Sequence, residues 1–199
     1  MDNALVYATW VMALASCAMA IASIVSARDA RKAINEQQKN FDRQIKEQQE
    51  NFDRQIAEYR LALYAETTLR FEKRFNGPRF TQIRSKAARA LLNKQDEVEA
   101  EDVFDFFETL GLFVKRGALD EGIAYSVFFH WINLYWRAGK HHIGSKQKDA
   151  TTLWGDFSFL YERVCDIEKR NDPDSEDLRM PDSRLRQELQ EEIDLYQEP

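Results

Sequence analysis

The chain has 199 residues, with 28 Lys+Arg against 34 Asp+Glu, 12% aromatic residues, and only 7 Gly, 4 Pro and 2 Cys. That composition excludes a collagen-like or disulfide-rich protein and is too aromatic for a wholly disordered one. The net charge of −6 and mean hydropathy of −0.59 describe a mildly acidic, hydrophilic chain, an average that hides the first thirty residues.

No charged side chain occurs from Asn3 to Ala27. As an α-helix the run Ala4–Ala27 covers roughly 36 Å, enough for a bilayer core of about 30 Å with some tilt. A cleaved signal peptide is the competing reading. It wants a basic start, and the only early charge is Asp2. Residues 1–27 are therefore expected to be a single-pass transmembrane anchor. Arg28, Arg31 and Lys32 follow the run, which puts the N-terminus outside and the body in the cytoplasm. Small residues recur four apart at Ala13 and Cys17, Ser16 and Ala20, and Ala18 and Ala22, a spacing that lets helices approach closely in lipid. Cys17 and Cys165 fit no metal or CxxC spacing.

Residues 28–63 are expected to form a helical stalk. Residues 35–45 read NEQQKNFDRQI and residues 46–56 read KEQQENFDRQI, a near-identical eleven-residue repeat. Eleven residues in three turns favours a straight or gently right-handed bundle over a left-handed heptad coil. With Ile34 as position a, the inward seam is Ile34, Gln37, Gln38 and Phe41, then Ile45, Gln48, Gln49 and Phe52. A degraded third copy adds Ile56, Tyr59, Arg60 and Leu63. Ile34, Phe41, Ile45, Phe52, Ile56 and Leu63 are the predicted oligomerisation residues of a coiled-coil-like homo-oligomer. The alternative is a lone solvated helix supported by charge pairs such as Asp42–Lys46.

Residues 64–170 are expected to be an all-α head, because no sustained period-two alternation appears. The stalk helix should run to about Phe75 and break at Asn76, Gly77 and Pro78. A second helix, Pro78 to Asn93, starts on a proline tolerated in the first turn. A third begins in the acidic stretch Glu99, Glu101, Asp102 and stops at Lys115, Arg116, Gly117, the charge order the helix dipole prefers. Asp120 caps a fourth, to about Ala138, crowded with Tyr125, Phe128, Phe129, Trp131, Tyr135 and Trp136. A fifth runs near Asp149 to Arg170. Residues 171–199 form an acidic tail whose 183–196 segment is either a short helix or mobile.

The stretch FDFFETLGLFVKRGALDEGIAYSVFFHWINLYW, residues 104–136, resembles a family of bacterial proteins classed as a domain of unknown function. The Phe-Glu-Thr-Leu-Gly run and the Trp/Tyr/Trp cluster carry the resemblance, which covers about residues 60–165. It implies an N-terminal membrane helix on a small α-helical cytoplasmic domain in the bacterial inner membrane. It brings no activity and no catalytic residues.

Charge is segmented. Residues 70–94 hold eight Lys/Arg against one acid, and residues 95–108 hold seven acids and no base. Arg79, Arg84, Lys86 and Arg89 are candidates for binding an anionic ligand, headgroup or nucleic acid. The competing reading is internal neutralisation by the acidic helix or tail. Glu108 and His130 are a candidate buried polar pair. His141 and His142 point to different helix faces and do not make a two-ligand grip. No GxSxG, Walker, GxGxxG, HExxH or paired-carboxylate spacing occurs, so neither an enzyme nor a cofactor or metal site is expected. The expected function is a membrane-anchored scaffold, sensor or regulatory protein acting through a protein partner. The alternatives are a membrane-disrupting effector, in phage defence or cell arrest, and a tethered binder of nucleic acid or anionic ligand.

Overall fold

The computed structural model describes residues 2–94 and 97–195, with the side chains of Glu97, of residues 2–9 and of several others before residue 34 outside the description. The protein is all-α. Its helices are α1 (Asp2–Phe75), α2 (Pro78–Asn93), α3 (Glu101–Lys115), α4 (Glu121–Lys146), α5 (Gly155–Asn171) and α6 (Asp182–Asp194). Short 3-10 turns at Glu97–Ala100 and Glu176–Arg179 precede α3 and α6, and no strand occurs among the described residues. The chain divides into two compact units, Met1–Tyr59 and Arg60–Pro199.

The first unit is helix throughout its described length, as expected of a segment with no Gly or Pro before Gly77. The Ser16 and Ser23 hydroxyls donate to the Met12 and Met19 carbonyls at 2.9 Å, which satisfies them locally. Among the described residues no helix is long and apolar enough to cross a membrane. The anchor expected over Ala4–Ala27 falls for much of its length on side chains outside the described residues.

The second unit is a helical bundle around one aromatic core. The last turns of α1 bury Thr68, Phe71 and Phe75, and Phe75 packs its ring on Phe80, Phe106, Phe107, Phe128 and Trp131, with centroids 5.2–5.9 Å apart. Burying one such ring stabilises by about 1.5–3 kcal/mol. Helix α3 lies against α5 at a close approach that requires Gly111. A Cβ there would stand 2.1 Å from the Asp156 carbonyl oxygen. Gly139 does the same for α4, where a Cβ would meet the Phe104 ring at 2.3 Å.

Two boundaries differ from expectation. Helix α4 runs on past Ala138 to Lys146, because Gly139 seats Phe104 instead of breaking the helix and Ile143 is buried one turn later. Helix α5 starts at Gly155, not near Asp149. Trp154 takes a left-handed conformation (φ 52°) and its indole N–H donates to Asp105 at 2.8 Å, which fixes the chain's entry into the helix. The tail is ordered as α6, packed on α2 with Leu189, Glu188 and Glu192 buried.

Candidate functional site

Within the first unit, Ile34, Phe41, Ile45, Phe52 and Ile56 fall in an arc of roughly 60° at 3.6 residues per turn. All five are exposed in the single chain, Phe41 and Phe52 at 60% and 62%. Glu36, Arg43, Glu47, Glu50 and Arg54 hold the opposite side of the same helix. The repeat advances the stripe by about 20° every eleven residues, a right-handed drift. Tyr59 is exposed at the end of this unit. Leu63, the last of the predicted seam residues, is exposed in the second.

The basic segment does not act as one surface. Arg79, Lys86 and Arg89 are exposed on one side of α2. Arg84 faces the other way and is buried, which removes it from any anion-binding set. Its Nε and Nη2 donate to the two Glu192 carboxylate oxygens at 2.8 Å each, and Nη1 donates to the Phe75 carbonyl at 3.2 Å. The guanidinium also lies over the Phe75 and Trp131 rings, 4.2 and 4.5 Å from their centroids. The Tyr135 hydroxyl stands 3.1 Å from Glu192 Oε2 and 3.3 Å from the Arg84 carbonyl. Complete burial, with the Glu192 charge beside it, raises the Tyr135 pKa well above the usual tyrosine value, so it is a neutral donor here. α1, α2, α4 and α6 thus meet at one paired, hydrogen-bonded charge.

Glu108 and His130 are not brought together. Glu108 accepts from the Phe157 backbone N–H at 2.6 Å, an orphan donor at the start of α5. Burial raises its pKa, against the Phe157 hydrogen bond. His130 is exposed, edge-on to the Trp131 ring at 4.6 Å. Both residues sit on helices whose phase, not their sequence neighbours, decides what they meet. His142 and Lys146 both reach Glu101 Oε1 at 3.0 Å. Burial opposes ionisation of Glu101, but Lys146 and His142 outweigh it and lower its pKa. His141 is exposed. Among the described residues no group of three His, Cys, Asp or Glu side chains is placed to hold a metal ion.

Nothing in the sequence marks Glu168 in α5, or Glu188 and Glu192 in the acidic tail, as buried acids. Glu168 accepts from the Tyr125 and Ser175 hydroxyls, tying the segment after α5 back to α4. An acid-rich run gives no local signal for which carboxylate turns inward.

No curated protein and no solved structure matches the chain. A family model does, over residues 10–164, from within α1 to the middle of α5, leaving α6 and its Glu192 beyond the matched region. With more than half of its length matched, the chain belongs to the DUF4760 family, a domain of unknown function.

Proposed function

We propose that this protein is a non-enzymatic, membrane-anchored scaffold, sensor or regulatory protein that self-associates through its stalk and engages a protein partner with its helical head. In this reading the anchor lies in the bacterial inner membrane, with the N-terminus outside and the body in the cytoplasm. The observation that carries it is the apolar stripe Ile34, Phe41, Ile45, Phe52 and Ile56, exposed along one side of α1 with charged residues opposite. A lone solvated helix gains nothing from two phenylalanines at identical repeat positions. A second copy of the same helix buries them, each ring contributing about 1.5–3 kcal/mol. The uncharged run from Asn3 to Ala27, followed by Arg28, Arg31 and Lys32, supports the anchor and its orientation.

The paired Gln37–Gln38 and Gln48–Gln49 layers between the apolar ones supply amides that must find partners across the seam. Such layers weaken an interface and fix its register. Extraction of native membranes with alkaline carbonate, followed by sedimentation of the detergent-solubilised protein, tests both parts. Retention in the pellet and a mass above one chain are expected. Release by carbonate contradicts the anchor, and a single-chain mass contradicts the stalk.

A further inference from the structure

A cleft of about 830 Å³ opens between the C-terminal parts of α2 and α4 and the first half of α6. Small-molecule sites have volumes of roughly 300–1,000 Å³. Among the described residues the walls of the cleft carry the five basic side chains of Lys94, Arg137, Lys140, Lys148 and Arg186 against one carboxylate, that of Asp182. This is the reverse of the chain as a whole, whose net charge is −6. The C-terminal ends of α2 and α4 contribute about half a negative charge each, too little to neutralise the excess.

The cations differ in how they are held. Arg137 is fixed at the back, its Nε donating to Asn133 Oδ1 at 2.8 Å and its Nη2 to the Leu178 carbonyl at 2.5 Å. Lys94, Lys140, Lys148 and Arg186 are exposed and make no ion pair among the described residues. Lys94 is presented by a left-handed backbone turn (φ 52°) whose N–H closes on the Ala90 carbonyl. Arg137, Lys140 and Gly144 line the same side of α4, with Lys94 from the end of α2 and Arg186 from α6 adding cations on the other walls, so the positive charge is spread over three elements. The floor, by contrast, is apolar, made by Leu91, Leu92, Leu185 and Leu189. At the mouth Gly144 leaves open space. A Cβ added there meets nothing within 4 Å.

From this division of the cleft we infer that it binds a nucleotide bearing a polyphosphate chain, with the phosphates on Lys94, Lys140, Lys148 and Arg186 and the non-polar part on the leucine floor. Binding here does not depend on assembly of the stalk, since every lining residue belongs to the second unit. A simple phosphate would use the cations alone, whereas the leucines favour a ligand with an apolar group attached. Because α6 supplies both Arg186 and half of the floor, the site is complete only when α6 is docked through Arg84 and Glu192.

The test is calorimetric titration of the full-length chain with ATP and with inorganic tripolyphosphate, in magnesium-free buffer at low salt. One ATP per chain is expected, bound at least tenfold tighter than tripolyphosphate and weakened by added salt. Lys140→Glu with Arg186→Glu, and separately Gly144→Phe, should each weaken ATP at least tenfold. Gly144→Phe fills the cleft from a position where glycine is the poorer helix former, so folding survives it. The control Arg79→Gln, Lys86→Gln, Arg89→Gln lies on exposed α2 positions outside the cleft and should weaken ATP binding several-fold less than the cleft variants. Absence of saturable ATP binding overturns the inference. So does tripolyphosphate binding as tightly as ATP, or a control variant that loses as much as the cleft variants.

Discussion

The Arg84 guanidinium and the Glu192 carboxylate, 108 residues apart in the chain, meet in two hydrogen bonds of 2.8 Å inside the head. Their side chains are 4% and 2% exposed. Two buried charges of this kind are costly to desolvate, and their attraction roughly offsets that cost only while both are present. Removing one partner is the damaging change, since it strands the other. Glu192→Leu or Arg84→Met should each lower unfolding free energy by about 3–5 kcal/mol, while Arg84→Met combined with Glu192→Leu should cost far less than the sum. Urea unfolding of the four proteins of this cycle checks it, and additive losses would show that the two groups do not act as a pair.

The helix approaches at Gly111 and Gly139 admit no methyl group without movement. Gly111→Ala meets the backbone of α5, which cannot swing aside, whereas Gly139→Ala meets the edge of the Phe104 ring. Overpacking of this kind costs about 1–3 kcal/mol. Gly111→Ala should be the more damaging, and Gly139→Ala should recover part of its loss when Phe104 is changed to Leu. Thermal melts of the three variants measure the order.

Glu108 carries a pH dependence with a definite sign. Its folded pKa is raised by burial, so the folded head holds this proton more tightly than the unfolded chain does. Its contribution is fully favourable below the ordinary glutamate range and is lost as pH rises through the raised folded value. Glu108→Gln keeps an oxygen for the Phe157 N–H and removes the titration. The variant should therefore gain stability relative to the parent as pH goes from 4 to 7, measured by urea unfolding of both proteins across that range. A stability difference that is flat with pH would contradict the assignment.

Cys165 is 7% exposed, and burial pushes its thiol up against the opposing hydrogen bond from Tyr161 and the nearby Arg137 charge. Burial likewise pushes the Tyr161 hydroxyl up to about 12. In a Cys17→Ser background Cys165 should react with a thiol reagent only as fast as the head unfolds. Reaction at the rate of a free thiol in the native protein would place that part of α5 at the surface.

How much of this was legible depended on whether a local rule decided the outcome. Pro78 and Asn93 bound α2 as expected, because a proline at the first turn and a chain reversal after the last are local events. Helical period alone predicts a buried stripe of Val103, Phe106, Phe107, Leu110, Phe113 and Val114 on α3, and all of these are buried but Phe113, which is half-buried. Helix α4 outruns its expected end near Ala138 because the Phe104 ring, from another helix, occupies the space where a Gly139 side chain would be. Trp154 gave no warning of its left-handed turn, since the anchoring Asp105 lies 49 residues away. The Arg84–Glu192 pair was illegible for the same reason. Charge runs show their sign but not which member turns inward, and the basic cleft gathers residues from three helices that no spacing links.

The proposed self-association would bring copies of the chain together along Ile34, Phe41, Ile45, Phe52 and Ile56. Single cysteines placed by Phe41→Cys, Phe52→Cys, Arg43→Cys and Arg54→Cys in a cysteine-free chain test it by disulfide cross-linking in native membranes. Efficient cross-linking is expected at positions 41 and 52 and little at 43 and 54, half a turn around the helix. Equal yields at all four positions, or none at 41 and 52, would contradict it.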